Sequence, residues 1–132
     1  MHQYEKLDVY SQALDVVELT YRAANGLPQT ERYSLTDQMK RASTSIVANI
    51  AEGAGRGSNR EFSRFIAIAR GSAFELEAHV TVSQRLGYVD DDTADAVRDQ
   101  LRWLRRRLTK LRDYLGTAHE AEGVGTGRDR VR

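Results

Sequence analysis

Hydrophobic residues recur at intervals of three and four along four segments of the chain, which is the spacing of one face of an α-helix. The first predicted helix runs from Asp8, a suitable N-cap, to Asn25, with Gly26 as its left-handed stop. The second runs from Ser34 to Ala54. The predicted buried seam of this second helix contains Leu35, Met39, Ala42, Ile46, Asn49 and Gly53.

The third and fourth predicted helices have clear start signals. Ser58 and Glu61 form a capping-box pattern, and the helix they open continues to Leu86, the longest predicted in the chain. The fourth follows the acids at 90–92, which suit a helix N-terminus, and is predicted to end at Gly116. Its apolar repeat consists of Val97, Leu101, Leu104, Leu108, Leu111 and Leu115.

These elements predict an all-α fold. No strand pattern competes with them, and short loops between amphipathic helices favour an antiparallel up-down-up-down four-helix bundle. The bundle domain is expected to cover residues 1–116. Residues 117–132 combine glycines and charges with few apolar side chains, so we expect a disordered tail there.

Composition excludes several classes of protein. The chain has no cysteine, so disulfides and thiolate metal sites are absent. It has no run of apolar residues long enough for a membrane span and no secretory signal, so we expect a cytoplasmic protein. The net charge of +1 argues against a strongly basic nucleic-acid binder on totals alone.

The order and spacing of several motifs resemble a known family. The motifs are Tyr33-x-Leu35-x-x-Gln38-x-x-Arg41-Ala42, Ser45-Ile46-x-x-Asn49-Ile50-x-Glu52-Gly53 and Ser58-x-x-Glu61-Phe62. Together they resemble the four-helix-bundle proteins encoded within intervening sequences of bacterial 23S rRNA genes, and the similar accessory variability proteins of diversity-generating retroelements. The resemblance implies a ring, typically a homopentamer, that binds RNA or DNA, with a reverse transcriptase as a partner in the retroelement branch.

Basic residues cluster on the fourth helix. Seven cations and one acid lie between residues 98 and 112. The candidate nucleic-acid contacts among them are Arg98, Arg102, Arg105, Arg107, Lys110 and Arg112. They predict either a ribbon that neutralises phosphates or a solvated face with salt bridges to neighbouring helices.

Two aromatic residues accompany the ribbon. Trp103 and Tyr114 share a helix face with Arg107 and Lys110. Either ring could stack on an unpaired base, but large aromatics on the outside of a bundle are often subunit contacts. We therefore expect Trp103 and Tyr114 to lie in an oligomer contact.

The family motif contains polar groups near a helix end. Asn49 and Glu52 would need a nucleophile or base to form an enzyme site, and the sequence offers no ordered triad. We expect them to bind the Gly53–Gly57 turn, the start of the third helix, or arginines across the bundle. They would then be structural, like Gly53, Ser58 and Glu61.

Metal and nucleotide chemistry are also disfavoured. A di-iron bundle needs two Glu-x-x-His pairs, and only Glu75 and His79, four apart, come near that pattern. The glycine-rich loop before the third helix lacks the Lys-Ser/Thr of a P-loop. Arg56 and Arg60 in that loop could still contact a nucleic-acid backbone. We expect no cofactor, no metal and no enzymatic activity.

Two hypotheses remain. The first is a non-enzymatic oligomer that binds structured nucleic acid through arginine-rich surfaces. The second is an adaptor that binds a retroelement reverse transcriptase. A small hydrolase is the weakest alternative.

Overall fold

Four α-helices make up the fold, as the sequence predicts. The computed structural model describes the backbone of residues 3–131 and the side chains of residues 8–117. The helices are α1 (Gln3–Ala24), α2 (Leu35–Ala54), α3 (Asn59–Arg85) and α4 (Asp91–Val131). A single 3-10 turn, Gln29–Glu31, lies between α1 and α2. No strand occurs between residues 3 and 131, which confirms the all-α class.

The helices pack as expected for a bundle. α2 packs against α1 and α3, α3 packs against α4, and α4 packs against α1. One continuous apolar core lies between them. Its largest fully buried side chains include Met39, Ile46, Ile50, Ile66, Leu76, Leu101, Leu104 and Leu108. The leucine repeat of α4 thus points inward along its whole predicted length.

The predicted start of α1 is wrong, whereas its end at Ala24 lies within one residue of the predicted Asn25. The helix begins at Gln3, so Asp8 lies inside it and is not its N-cap. Gly26 was expected to be left-handed, but in the described residues only Gly57 and Gly87 have positive φ angles. The N–H groups of Gly26 and Leu27 donate to the carbonyls of Ala23 and Ala24, so α1 ends in a tight turn that any residue could adopt.

The predicted end of α4 at Gly116 is also wrong. The helix continues through Gly116 to Val131, which makes α4 and not α3 the longest helix. A glycine stops a helix by turning left-handed, and Gly116 does not do so. The backbone of 117–131 is therefore helical, where a disordered tail was expected. Whether the domain divides at residue 116 stays a prediction, because the side chains of 118–132 lie outside the described residues.

The joint between α2 and α3 follows the prediction in part. Ser58 is the N-cap of α3, and its Oγ accepts from the N–H of Glu61 at 3.2 Å. The Glu61 carboxylate accepts from Nε of Arg64 at 2.9 Å, a contact that the capping-box pattern did not predict. Gly57 supplies the left-handed residue, with φ of 83°. Gly53 lies in the last turn of α2 and does not break the helix.

The buried seam of α2 includes Ser43, which was not predicted, and differs from the prediction at Asn49. Asn49 is half-buried, while Ile50 beside it is fully buried. Residues three and four positions after Ile46 both lie near its face, so the sequence allowed either to be the buried one. The apolar residue takes the core position because burying an amide without partners costs free energy.

Candidate nucleic-acid interface on the fourth helix

A surface depression of about 750 Å³ lies along the outer side of α4. Six cations line it. Its basic lining residues are Arg70, Arg102, Arg105, Arg106, Arg107 and Lys110. Trp103 and Thr109 complete the lining, and Asp113 is its one acid. Such an excess of positive charge in a concave surface attracts anionic ligands.

Three of these cations are available to a ligand. Arg106 and Lys110 are exposed, and neither has an ion-pair partner among the side chains of residues 8–117. Arg102 has only a long contact with Asp99, 3.5 Å between guanidinium and carboxylate, and both side chains are mostly in water. An ion pair of that kind contributes little and is easily exchanged for another anion.

Two of the predicted contacts have a different role. Arg105 pairs with Glu77 of α3 at 3.1 Å, and its guanidinium lies 4.5 Å from the ring centre of Phe74. Arg98 pairs with Asp95 and donates to Oε1 of Gln84 of α3 at 2.8 Å. Both arginines therefore connect α4 to α3. For Arg105 the structure shows a salt bridge to a neighbouring helix, the alternative that the sequence left open, whereas Arg98 pairs with an acid of its own helix and reaches α3 through a hydrogen bond.

The remaining predicted cations of α4 are also engaged, to different degrees. Arg112 lies outside the depression, and its closest acid is Asp113 at 3.6 Å. Arg107 reaches across to α1, where its guanidinium lies 2.6 Å from a carboxylate oxygen of Asp8. The candidate ribbon is thus divided between structural arginines and free ones.

Trp103 stands in the middle of the free cations. Its side chain is 56% exposed, and the guanidinium of Arg107 lies over the ring at 5.7 Å from the centroid. Since Asp8 pairs with Arg107, the carboxylate, guanidinium and indole form a chain of contacts from α1 to the outer face of α4.

Tyr114 is also exposed and lines a second depression, of about 330 Å³, with Asp8, Arg107 and Lys110. The predicted oligomer contacts of Trp103 and Tyr114 stay predictions.

Arg70 is the contribution of α3 to the depression. Its guanidinium lies 5.1 Å from the ring centre of Phe74, and the guanidinium of Arg105 of α4 packs against the same ring. Its Nε is buried and has no hydrogen-bond partner among the described residues. A buried donor without a partner carries a free-energy penalty, which an anion bound nearby would reduce.

The family-motif residues near the α2 end form local contacts. Asn49 donates from Nδ2 to the carbonyl oxygen of Ser45 at 2.8 Å and to its Oγ at 3.1 Å. Ser45 Oγ in turn lies 2.8 Å from Ser72 Oγ on α3. Binding to the turn was one of the predicted roles of Asn49. The structure shows a different contact, because the amide donates back along its own helix to Ser45. Glu52 does bind the turn segment, through Arg56 at 3.1 Å.

The predicted contacts at the α2–α3 loop lie apart from the depression. The Arg56 guanidinium, besides pairing with Glu52, packs 4.9 Å from the centre of the Phe65 ring. Arg60 is exposed in the first turn of α3, beside a separate depression that includes Glu61 and Arg64. Neither arginine joins the α4 surface, so the structure does not bring the two sets of predicted contacts together.

The described residues contain no cluster of three or more His, Cys, Asp or Glu side chains placed to hold a metal ion. His79 and Glu75 approach each other at 3.4 Å on the surface of α3. None of the helices in the described segment is both long and apolar enough to cross a membrane.

Sequence reasoning missed two residues of this surface. Arg106 was not among the candidate contacts, although it lies three residues after Trp103 and four before Lys110, on the same face. That spacing was a usable signal. Arg70 gave none, because only the packing of α3 against α4 brings it to the depression.

Comparisons with known proteins agree with this fold. The model of the family described as 23S rRNA-intervening sequence protein matches residues 5–110. A search of curated proteins found no match. Among solved structures, the chain is similar to a protein of unknown function from the S23 ribosomal protein family of Bacteroides thetaiotaomicron. The identity is 20%, the TM-score 0.76, and the match covers 83% of this chain and 98% of that one.

The likeness to the solved structure supports the fold, and the family match covers most of the chain, including the motifs on α2 and α3. The chain therefore belongs to the 23S rRNA-intervening sequence protein family.

Proposed function

We propose that this protein is a non-enzymatic oligomer that binds structured RNA or DNA through the outer side of α4. The observation that carries the proposal is the depression with six cations and one acid. Phosphate contacts supply most of the affinity of sequence-independent nucleic-acid binding, and arginine suits them because its guanidinium can donate two parallel hydrogen bonds.

The contacts that we propose differ from those predicted from the sequence. Arg102, Arg106 and Lys110 contact phosphates, because they are free of strong internal ion pairs. Arg98 and Arg105 hold α4 to α3 instead. The near-neutral net charge does not oppose this surface, since Asp113 is the one acid that lines the depression.

The bundle that presents this surface is antiparallel in our proposal. Interhelical contacts support the up-down-up-down order, because partners early in one helix meet partners late in the next. On α3 and α4, Glu77 meets Arg105 while the later Gln84 meets the earlier Arg98.

The test is a binding measurement across a salt series. A triple variant, Arg102→Gln, Arg106→Gln and Lys110→Gln, should bind labelled RNA and DNA more weakly. The slope of log K against log salt should fall by about 2–3, since each phosphate contact contributes ~0.7–0.9.

A control of equal charge change removes three cations from other faces: Arg22→Gln, Arg41→Gln and Arg85→Gln. This control should keep most of the affinity and the slope. Equal losses in both triple variants would show that only net charge matters and would contradict the proposed surface.

A short apolar row on α3, formed by Val82 and Leu86, supports the oligomeric part of the proposal. Both side chains are exposed and lie one helical turn apart, while Ile68 is exposed on the same helix face but fourteen residues away. Such a row is typical of a protein contact. The homopentamer implied by the family resemblance would use this face between copies.

Measurement of the molecular mass by light scattering tests whether this face of α3 lies between copies of the chain. Val82→Asp should lower the mass toward that of a monomer, whereas Leu14→Asp, on an exposed position of α1, should not.

The same apolar row on α3 favours the second candidate function, an adaptor for a reverse transcriptase. If Val82→Asp leaves the mass unchanged but abolishes binding to a co-expressed reverse transcriptase, the adaptor function is the correct one.

A further inference from the structure

We infer that the α4 surface selects the unpaired nucleotides of structured RNA or DNA, with Trp103 as the platform on which a base stacks. This inference rests on the proposed function and adds the class of nucleic acid that the surface prefers. Its basis is the position of one exposed indole inside a basic depression.

The first step concerns the state of the indole ring. Trp103 is 56% exposed, and Arg107 lies over the ring at a distance typical of a cation–π contact. The Asp8 carboxylate pairs with that guanidinium at 2.6 Å. The indole therefore has one cation over it, while Trp103 as a whole is more than half exposed to a ligand.

The second step concerns the charges around the ring. Arg106 is one helical turn after Trp103, about 4.5 Å along the axis, and Lys110 is about 10 Å along it. Arg102 is adjacent in sequence, and all three line the same depression. A nucleotide whose base lies on the indole thus has cations within reach of its own phosphate and of the next one.

The third step separates single strands from duplexes. In a duplex each base is already stacked between its neighbours, so its face is not available to a side chain. An unpaired base offers that face, and stacking on an aromatic ring contributes to affinity with little dependence on sequence. A duplex would meet only the cations, so Trp103 should matter for single strands alone.

The composition of the chain gives a direct readout. Trp103 is the only tryptophan among its 132 residues, so tryptophan fluorescence reports on this position and no other. Stacking of a base on the indole should quench this emission. The probes are an oligothymidylate, an oligouridylate and a duplex long enough for its terminal pairs to be a small fraction of its bases, added at equal nucleotide concentration to the full chain at low salt.

Both single strands should quench the emission, and the duplex should not. Trp103→Leu should weaken binding of labelled single strands about 10-fold while leaving duplex affinity unchanged. Trp103→Phe, which keeps an aromatic face, should recover part of the loss.

Other results would overturn the inference. If single strands leave the emission unchanged and Trp103→Leu leaves their affinity unchanged, while the Arg102/Arg106/Lys110 variant loses binding, the proposed function stands and this inference fails. If that charge variant also binds normally, the proposed function itself fails. A change of molecular mass in Trp103→Leu without nucleic acid would place the indole in a subunit contact and likewise overturn the inference.

Discussion

Gly53 of α2 lies so close to Phe65 of α3 that a β-carbon on the glycine would be 2.7 Å from the Phe65 Cβ. It would also be 2.9 Å from Cδ1 of Phe62 and 3.3 Å from the Phe62 carbonyl oxygen. Real β-carbons do not approach other atoms so closely. The absence of a side chain at residue 53 therefore sets the distance between the two helices at this end of the bundle.

Gly53→Ala should destabilise the protein by about 1–3 kcal/mol, because α2 or α3 must shift to admit the methyl group. Gly71→Ala is the matched control, since Gly71 is an exposed residue of α3 with open space around it. That change should stabilise by roughly 0.5–1 kcal/mol through helix propensity. Urea unfolding gives both values, and stabilisation by Gly53→Ala would contradict the close approach.

The Arg105–Glu77 ion pair should contribute more than exposed pairs do. The side chains are only 16% and 24% exposed, and the pair joins two helices. A double-mutant cycle with Arg105→Gln and Glu77→Gln should give a coupling free energy of about 1–2 kcal/mol, between the values for surface and buried pairs.

The control cycle uses Arg64 and Glu61, which are 60% and 40% exposed within α3. Its coupling should be about 0.3–0.5 kcal/mol. The protein with Arg105→Gln should also bind nucleic acid with the affinity of the unchanged protein, under conditions where the variant is folded. A loss of affinity for nucleic acid without a loss of stability would show that Arg105 is part of the binding surface.

Asp90 should make the stability of the protein depend on pH in the acid range. Its carboxylate accepts from the N–H of Thr93 at 2.7 Å, at the start of α4. This backbone hydrogen bond, and one from the Thr93 side chain, lower the pKa of Asp90 below its usual value. The stabilisation is therefore present above the unfolded pKa of about 3.9 and is lost as the pH falls through the lowered folded pKa.

Asp90→Ala removes the cap, so its denaturation midpoint should be lower than that of the unchanged protein at neutral pH. The two midpoints should converge in strong acid, where the carboxyl group is protonated. A difference that stayed constant from neutral to acid pH would contradict an ionised cap.

The contribution of Asn49 to the stability of the protein should depend on its role as a hydrogen-bond donor. Asn49→Asp keeps the shape but replaces the NH₂ group that donates to Ser45 with an acceptor. The change should destabilise by about 1–3 kcal/mol, because a carboxylate oxygen would then face the carbonyl oxygen of Ser45. Gln100→Glu makes the same chemical change at an exposed position of α4 and should stay within about 0.5 kcal/mol. Similar effects in both variants would show that Asn49 has no special contact.

The candidate site was only partly predictable. Clustering of basic residues on α4 is visible in the sequence, and so is the face shared by Trp103, Arg107 and Lys110. Which arginines are free is not visible there, because Arg98 and Arg105 obtain partners from α3, some fourteen and twenty-eight positions away. An ion pair between helices depends on their relative rotation, and sequence spacing does not report that rotation.

Local patterns in the sequence were enough for the class of fold. The leucine repeat of α4 and the Ser58 cap both act within a few residues, through periodicity and backbone hydrogen bonds, and they appear as predicted. Tertiary structure decided what such patterns leave open. It put Ile50 and not Asn49 in the core, made Gly53 a contact point, and separated structural arginines from free ones. Each of these outcomes depends on which side chain of another helix lies opposite, and only the packed bundle determines that.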